Sequence, residues 1–326
     1  MSQATLSPAE IKVKIIENFV EYAKLFTPFQ SNFLCGLNQR YQCLDSGSLI
    51  LNFARNTHQA ILRKKDYDLD YDLSFEKFWE NHGSVDQPRS TIMTIAQCAN
   101  LPKETARRKL LELTKQKMLN KKNNYISWHP SEEYKVRYNI FVAEEIKNMA
   151  KLTKYITNLM KMNFSKEDIE NEYKNKFSFY WYHYLDLQIK WMSLWKLRFK
   201  DLDIPLIFLQ FAILLTSKLD QGKNISTSKL WSEPNIIKNQ FHKGVSVSAT
   251  SISDITGIPR ATCIRKLNIM VVKKMVLRDK NTKRYYLIPE ALNKNLVSKD
   301  LVEKVSEIFS EFYFISLKAL STKTLY

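Results

Sequence analysis

The sequence predicts a mostly α-helical chain with small β-hairpins, in which one segment plan occurs once in each half. Three observations lead there. Six glycines and nine prolines in 326 residues are too few for a turn-rich all-β fold or a glycine-lined nucleotide site, and favour helices with short connections. The segment IAQCANLPKETARRKLLELTKQKML (Ile95 to Leu119) aligns without a gap to ISDITGIPRATCIRKLNIMVVKKMV (Ile252 to Val276) at an offset of 157, the mark of an internal repeat. Each of these segments then runs through a charged turn between two short apolar stretches, NKKNN before YISW and RDKNTKR before YYLI, as β-hairpins do.

Residues 1 to 90 read as helical, with Ile11, Ile15, Ile16, Phe19 and Tyr22 at helical spacing. The N-terminus, MSQATLSPAEIKVKIIENF, lacks the apolar stretch of a secretory signal. The acidic run from Asp66 to Glu76 lacks the glycine of a calcium loop and reads as solvated. Upstream of the repeat, LILNFA (Leu49 to Ala54) resembles IFLQFA (Ile207 to Ala212) at nearly the same offset.

Within each copy, a short helix carries Ile95, Cys98 and Ala99 as one buried stripe. It stops at Asn100 or Gly257, residue types that accept the left-handed conformation of a helix end. Leu101 or Ile258 plugs the turn into the core, and Pro102 or Pro259 opens a second helix. That helix buries Ala106, Leu110 and Leu113, or Cys263, Leu267 and Met270, and turns its cations outward. Met118-Leu119 and Met275-Val276 start a strand, and the aromatic returns Tyr125 to Pro130 and Tyr285 to Pro289 close it. A long charged helix is expected after each. This is the grammar of a helix-turn-helix followed by a wing. The expected fold class is thus mostly α with small β-hairpin wings (α+β): two winged helix-turn-helix domains from an internal duplication, joined by long helices. The first domain takes residues 1–160 with a core at about 90–130, and the second takes 161–326, comprising a helical connector, a core at about 247–290 and a C-terminal helix.

The connector, residues 131–200, holds nine aromatics between Phe177 and Phe199. Rings interleaved with Lys are able to stack on single-stranded bases, but intramolecular packing or self-association through helix 177–199 is the commoner use. The four cysteines form no Cys-x-x-Cys pair or zinc-finger spacing, which fits a reducing cytoplasm. Cys98 and Cys263 read as small buried hydrophobes. The longest apolar run, Ile204 to Leu215, is too short to span a bilayer and contains Gln210. A soluble, cytoplasmic protein without a membrane partner is expected. No phosphate loop, metal-ligating cluster or nucleophile elbow is present, so neither enzymatic activity nor a cofactor or metal is expected. His183 and Asp186 read as an exposed polar pair.

Lys and Arg number 50 against 33 acids, giving +17 and a pI near 9.5. Such a field draws polyanions. A lysine-rich composition would give the same total, so clustering carries more weight. Nine cations and one acid, Asp279, lie between Arg260 and Arg284.

The stretches Asn100-Leu101-Pro102-Lys103-Glu104-Thr105-Ala106-Arg107-Arg108 and Gly257-Ile258-Pro259-Arg260-Ala261-Thr262-Cys263-Ile264-Arg265 resemble the winged helix-turn-helix domains of bacterial regulators, including the cyclic-AMP receptor protein type. There, Gly-hydrophobic-Ser-Arg-Glu-Thr-x-x-Arg opens the recognition helix. The resemblance covers about 40 residues per copy. It implies base-edge contacts for Lys103, Glu104 and Arg108 and for Arg260 and Arg265; Ala261 lacks the acid that accepts from cytosine. Chemistry alone points the same way. A helix fits the major groove, Arg108 and Arg265 suit guanine, and Thr105 and Thr262 suit a phosphate or a thymine methyl. Lys121, Lys122, Lys280, Lys283 and Arg284 sit at the expected wing tips, facing backbone or minor groove. Arg107, Lys109 and Lys266 stand equally as contacts or as solvated side chains. The function expected is sequence-specific binding of double-stranded DNA by a nucleoid-associated transcriptional regulator, on a site that is not a perfect palindrome because the copies differ. A plasmid- or phage-type replication initiator, a non-specific nucleoid protein and a winged-helix interaction scaffold are the alternatives.

Overall fold

A computed structural model describes residues 6–88, 90–123, 125–219, 246–288 and 298–323. Thirteen helices hold 74% of these residues, beside two small antiparallel sheets. The mostly α class with minor β stands. Pro289 and Asn124, and part of the stretch leading to the last helix, lie outside the described residues.

The chain divides into two compact units, one of residues 1–40 and 201–311, the other of 41–200 and 312–326. This grouping by contacts differs from the expected cut after residue 160. Sequence order misleads here because the N-terminal helices belong with the second half of the chain.

In the first unit, α1 (Pro8–Glu17) starts on a Ser7 cap whose hydroxyl accepts from the Glu10 N–H at 3.2 Å, with proline at the first turn. It ends at Asn18, and α2 (Phe19–Tyr41) follows, so the expected stripe is divided between two helices. Ile11, Ile15 and Tyr22 are buried, whereas Ile16 and Phe19 are half-buried. The apolar run forms α10 (Asp203–Leu219), with Ile204, Leu206, Ile207, Leu209 and Phe211 all buried. Gln210 survives in that environment because its amide donates to the Ser31 hydroxyl at 2.9 Å and to the Leu206 carbonyl at 3.0 Å. Next come β3 (Ser246–Val247), α11 (Ala249–Thr256), α12 (Arg260–Val272), β4 (Val276–Arg278) and β5 (Tyr285–Leu287). The strands form one antiparallel sheet in the order β3-β5-β4, with Val247 opposite Tyr285 and Val276 opposite Leu287. The last helix, α13 (Lys299–Lys323), gives this unit its residues up to Glu311, and its Phe309 packs edge-on to Phe26 at 4.9 Å.

The second unit holds α3 (Leu44–Tyr67), α4 (Phe78–Ser84), α5 (Ile92–Cys98), α6 (Lys103–Lys115), β1 (Asn120–Lys122), β2 (Tyr125–Ser127), α7 (Glu132–Leu159), α8 (Lys166–Asn175) and α9 (Phe177–Phe199). Residues 68–77 form a largely exposed loop without a metal-ligating cluster among the described residues. α3 lies along α9, and the aromatic stretch supplies the core. Phe177, Tyr180, Trp181, Tyr184, Trp191 and Trp195 are all buried, and none of the nine rings is exposed. Of the two uses expected for helix 177–199, intramolecular packing accounts for these contacts: its rings lie against Phe78, Tyr173, Phe312 and one another. Asp186 is not half of an exposed pair with His183. It accepts from Arg55 at 3.2 Å and pairs with Lys190 at 3.3 Å, and His183 is half-buried.

Candidate nucleic-acid interface

Two helix pairs with matching ends carry the expected contact residues. α6 and α12 are both 13 residues long and start 157 residues apart. The helix before each is capped by a hydroxyl: Thr91 accepts from Thr94 N–H at 3.3 Å, and Ser248 from Ser251 N–H at 2.9 Å. Asn100 and Gly257 hold φ of 49° and 71° at the turn. Pro102 and Pro259 then sit at ψ 139° and 135°, and their carbonyls accept from Ala106 and Cys263 N–H at 2.9 Å in both cases. After the second helix, Lys117 and Lys274 adopt φ of 57° and 55°. That turn returns Met118 N–H to the Leu113 carbonyl at 3.0 Å and Met275 N–H to Met270 at 2.8 Å. The repeated Lys-Met dipeptide was a sequence signal for this paired left-handed turn.

The stripes facing inward are Ala106, Leu110 and Leu113, and Cys263, Leu267 and Met270, all buried. In the short helices Ile95, Ala96 and Ala99 are buried on one side and Ile252 on the other. Cys98, expected in that stripe, is exposed, because its position one residue before Ala99 turns it away from the packed face; Ala96 takes the place. Cys263 is buried as expected, and burial pushes its thiol up to about 11.

The outward faces differ. On α6, Lys103, Glu104, Arg107 and Arg108 are exposed and Thr105 is half-buried. Arg107 Nε donates to Glu104 Oε2 at 2.8 Å, which gives Arg107 a local partner. On α12, Arg260 and Arg265 are exposed and Thr262 is half-buried. Arg260 Nε donates to Thr250 Oγ1 at 3.1 Å, tying α12 to α11. Arg108 and Arg265 make no hydrogen bond or ion pair among the described residues. Neither second helix is capped by a side chain, and α12 has no acid in its first turn. Its free N–H groups and the positive end of its dipole therefore add to the cationic field there.

Lys266 is not placed as expected, and Arg284, Lys121 and Lys122 stand in or beside the strands and not at the wing tips. Lys266 is 8% exposed and its ammonium pairs with Asp201 and, at 3.4 Å, with Asp203, so it is neither solvated nor on the outer face. Arg284 lies beside β5, where Nε donates to Ser246 Oγ at 2.7 Å and Nη2 to the Ser246 carbonyl at 2.8 Å, clamping β3 to the sheet. Lys121 and Lys122 are exposed but form β1 itself, opposite Ile126 and Tyr125. Lys280 and Lys283 do sit exposed on the 279–284 turn. That turn is built on Asp279, whose Oδ1 accepts from Thr282 N–H at 2.6 Å, Asn281 N–H at 2.8 Å and the Thr282 hydroxyl at 3.0 Å. Backbone donation from Thr282, foremost, holds the Asp279 carboxyl below its ordinary range. Lys109 is half-buried and donates to Cys43 Sγ at 2.9 Å. Arg278, passed over in sequence, is exposed on β4 with its guanidinium 5.6 Å from the Tyr285 ring centre.

No helix among the described residues is long and apolar enough to cross a membrane. Comparison with family models, curated proteins and solved structures found no match.

Proposed function

We propose that this chain is a sequence-specific double-stranded DNA-binding protein, a transcriptional regulator, with two winged helix-turn-helix modules derived from an internal duplication. In this reading α6 and α12 are the recognition helices, and the β1-β2 and β4-β5 hairpins are the wings. One observation carries it most. Arg108 and Arg265 occupy the same place on helices of equal length 157 residues apart, both exposed and both without a partner among the described residues. A bare guanidinium on the outer face of a helix is the donor pair that guanine O6 and N7 accept in the major groove. Lys103, Glu104 and Thr105 join it on α6, and Arg260 and Thr262 on α12. Lys121, Lys122, Lys280 and Lys283 supply the flanking phosphate contacts. Arg107 and Arg284 have intramolecular partners and play a smaller part.

The test is selection from a random duplex library, followed by salt titration of the winning site with the full chain and with Arg108→Ala and Arg265→Ala. Enrichment of one motif is expected, with each variant relaxing the preference at a different base and costing about 1–3 kcal/mol. Binding without enrichment, insensitive to both variants and steep in salt, points instead to a non-specific coating protein. Absence of binding at low salt sinks the reading.

A further inference from the structure

We infer that Lys266 is a positioning residue, which fixes the second recognition helix against the start of α10 and makes no phosphate contact of its own. The inference rests on the DNA-binding reading above. Lys266 follows Arg265 directly, and the two adjacent cations have opposite fates: Arg265 is exposed, whereas Lys266 is 8% exposed. The ammonium meets two carboxylates, Asp201 and Asp203. Asp201 is no chance neighbour. Its Oδ1 accepts from Asp203 N–H at 2.7 Å and Ile204 N–H at 3.2 Å, so it caps α10 while its other oxygen holds the lysine. One acid thus fixes the end of α10 and the middle of α12 together.

The other unit repeats the arrangement with different chemistry. Lys109, 157 residues earlier, donates to Cys43 Sγ at 2.9 Å, and Cys43 is the N-cap of α3, accepting from Ser46 N–H at 3.4 Å. In both units, then, the same lysine of the recognition helix reaches the capping residue of a preceding helix. The two arrangements use a carboxylate pair in one case and a thiol in the other, so what they share is the placement and not the partner. Drawing Lys266 out to a phosphate would leave two partly buried carboxylates without their cation, a change far less favourable than using the exposed Arg265 beside it. The orientation of Arg265 towards a base edge follows from how firmly α12 is held.

The test compares the full-length chain with Lys266→Met, Lys266→Arg and the double variant Asp201→Asn/Asp203→Asn, titrated on the selected duplex at several salt concentrations. Positioning predicts that Lys266→Met and the double variant each weaken binding about tenfold with the wild-type salt slope, and that Lys266→Arg restores most of it. A phosphate contact predicts a slope smaller by about one for Lys266→Met, with the aspartate variant binding as well as wild type or better; that result overturns the inference. Hydrogen exchange without DNA separates the two claims. If wild type binds no duplex, the functional reading alone falls, and faster amide exchange along α12 in Lys266→Met and in the double variant still supports the anchor. Exchange unchanged in both variants removes it. The double variant keeps the lysine, so the comparison holds even where Lys266→Met folds poorly.

Discussion

The segments 92–127 and 249–287 share a frame and differ in surface. Their helices, caps, left-handed turns and inward stripes correspond residue for residue, as set by Leu110 with Leu267, Pro102 with Pro259 and Lys117 with Lys274. Their outward chemistry diverges. α6 carries Glu104 in an ion pair with Arg107, whereas α12 has Ala261 and no acid. The sheets diverge as well: the first is a two-stranded hairpin touched by a single bridge between Ser90 and Ile126, while the second recruits a full third strand clamped by Arg284. Packing and backbone geometry constrain the shared part, since a buried stripe tolerates little change in volume. Solvent constrains the rest weakly, so that two surfaces on one frame are free to acquire different tasks.

The equivalence of the frames is broken most directly in their cores. Leu110 and Leu267 are 1% and 0% exposed, and truncating such a side chain to alanine costs about 2–5 kcal/mol. Leu110→Ala should destabilise residues 41–200 and leave the other unit protected, and Leu267→Ala should do the reverse, as read by peptide-resolved hydrogen exchange in denaturant. Equal loss of protection throughout the chain with either variant would show a single cooperative body in place of two.

Acid sharpens the contrast next. Every described histidine lies in the second unit. His82 is buried, and burial lowers its pKa to about 4 although its Nε2 donates to the Trp128 carbonyl at 2.7 Å. His58 is fully buried between Phe78 and Phe177 and is held well below the ordinary value for the same reason. A histidine whose folded pKa is depressed favours the folded state fully above its unfolded pKa of 6.5, and that preference is lost as pH falls from there towards 4, because the unfolded chain binds the proton first. For His82 alone the change is about 3 kcal/mol across that window. The unit of residues 41–200 should therefore lose protection between pH 6.5 and 4 while 246–288 changes less, and His82→Gln should flatten part of the dependence. Parallel loss in both segments would break the contrast.

How much of this was legible follows the same division. Helix period, the proline and the Asn/Gly turn placed α6 and α12 correctly, since buried stripes and left-handed turns leave a strict residue pattern. The exposed arginines were legible from the same period. Lys266 was not, because its burial depends on Asp201 and Asp203, some 65 residues earlier in sequence and unremarkable until folding brings them together. The clamp of Arg284 on a third strand was illegible for the same reason: a two-residue strand such as Ser246–Val247 has no periodicity to detect. The grouping of residues 1–40 with 201–311 was not legible, because those helices read simply as amphipathic and nothing local says which half such a helix joins.

The smallest effect concerns the turn. Gly257 and Asn100 are the paired left-handed residues, and only one is glycine. A Cβ at 257 would meet Asn38 Nδ2 at 3.4 Å and Gln39 Cγ at 3.6 Å, ordinary contact distances, so space does not demand the glycine. Backbone conformation does: at φ 71° an alanine costs about 1–2 kcal/mol, whereas asparagine tolerates the region far better. Gly257→Ala should thus lower the stability of residues 246–288 by that amount, and Gly257→Asn should cost less than about 1 kcal/mol, importing the solution already used at Asn100. The reciprocal Asn100→Gly should be close to neutral, because glycine fits the turn but carries more freedom in the unfolded chain. Chemical denaturation of the three variants separates the possibilities. If Gly257→Asn costs as much as Gly257→Ala, the limit at 257 is the Asn38 amide, which also donates to the Thr256 carbonyl at 3.0 Å, and the two turns are alike in φ but not in what surrounds them.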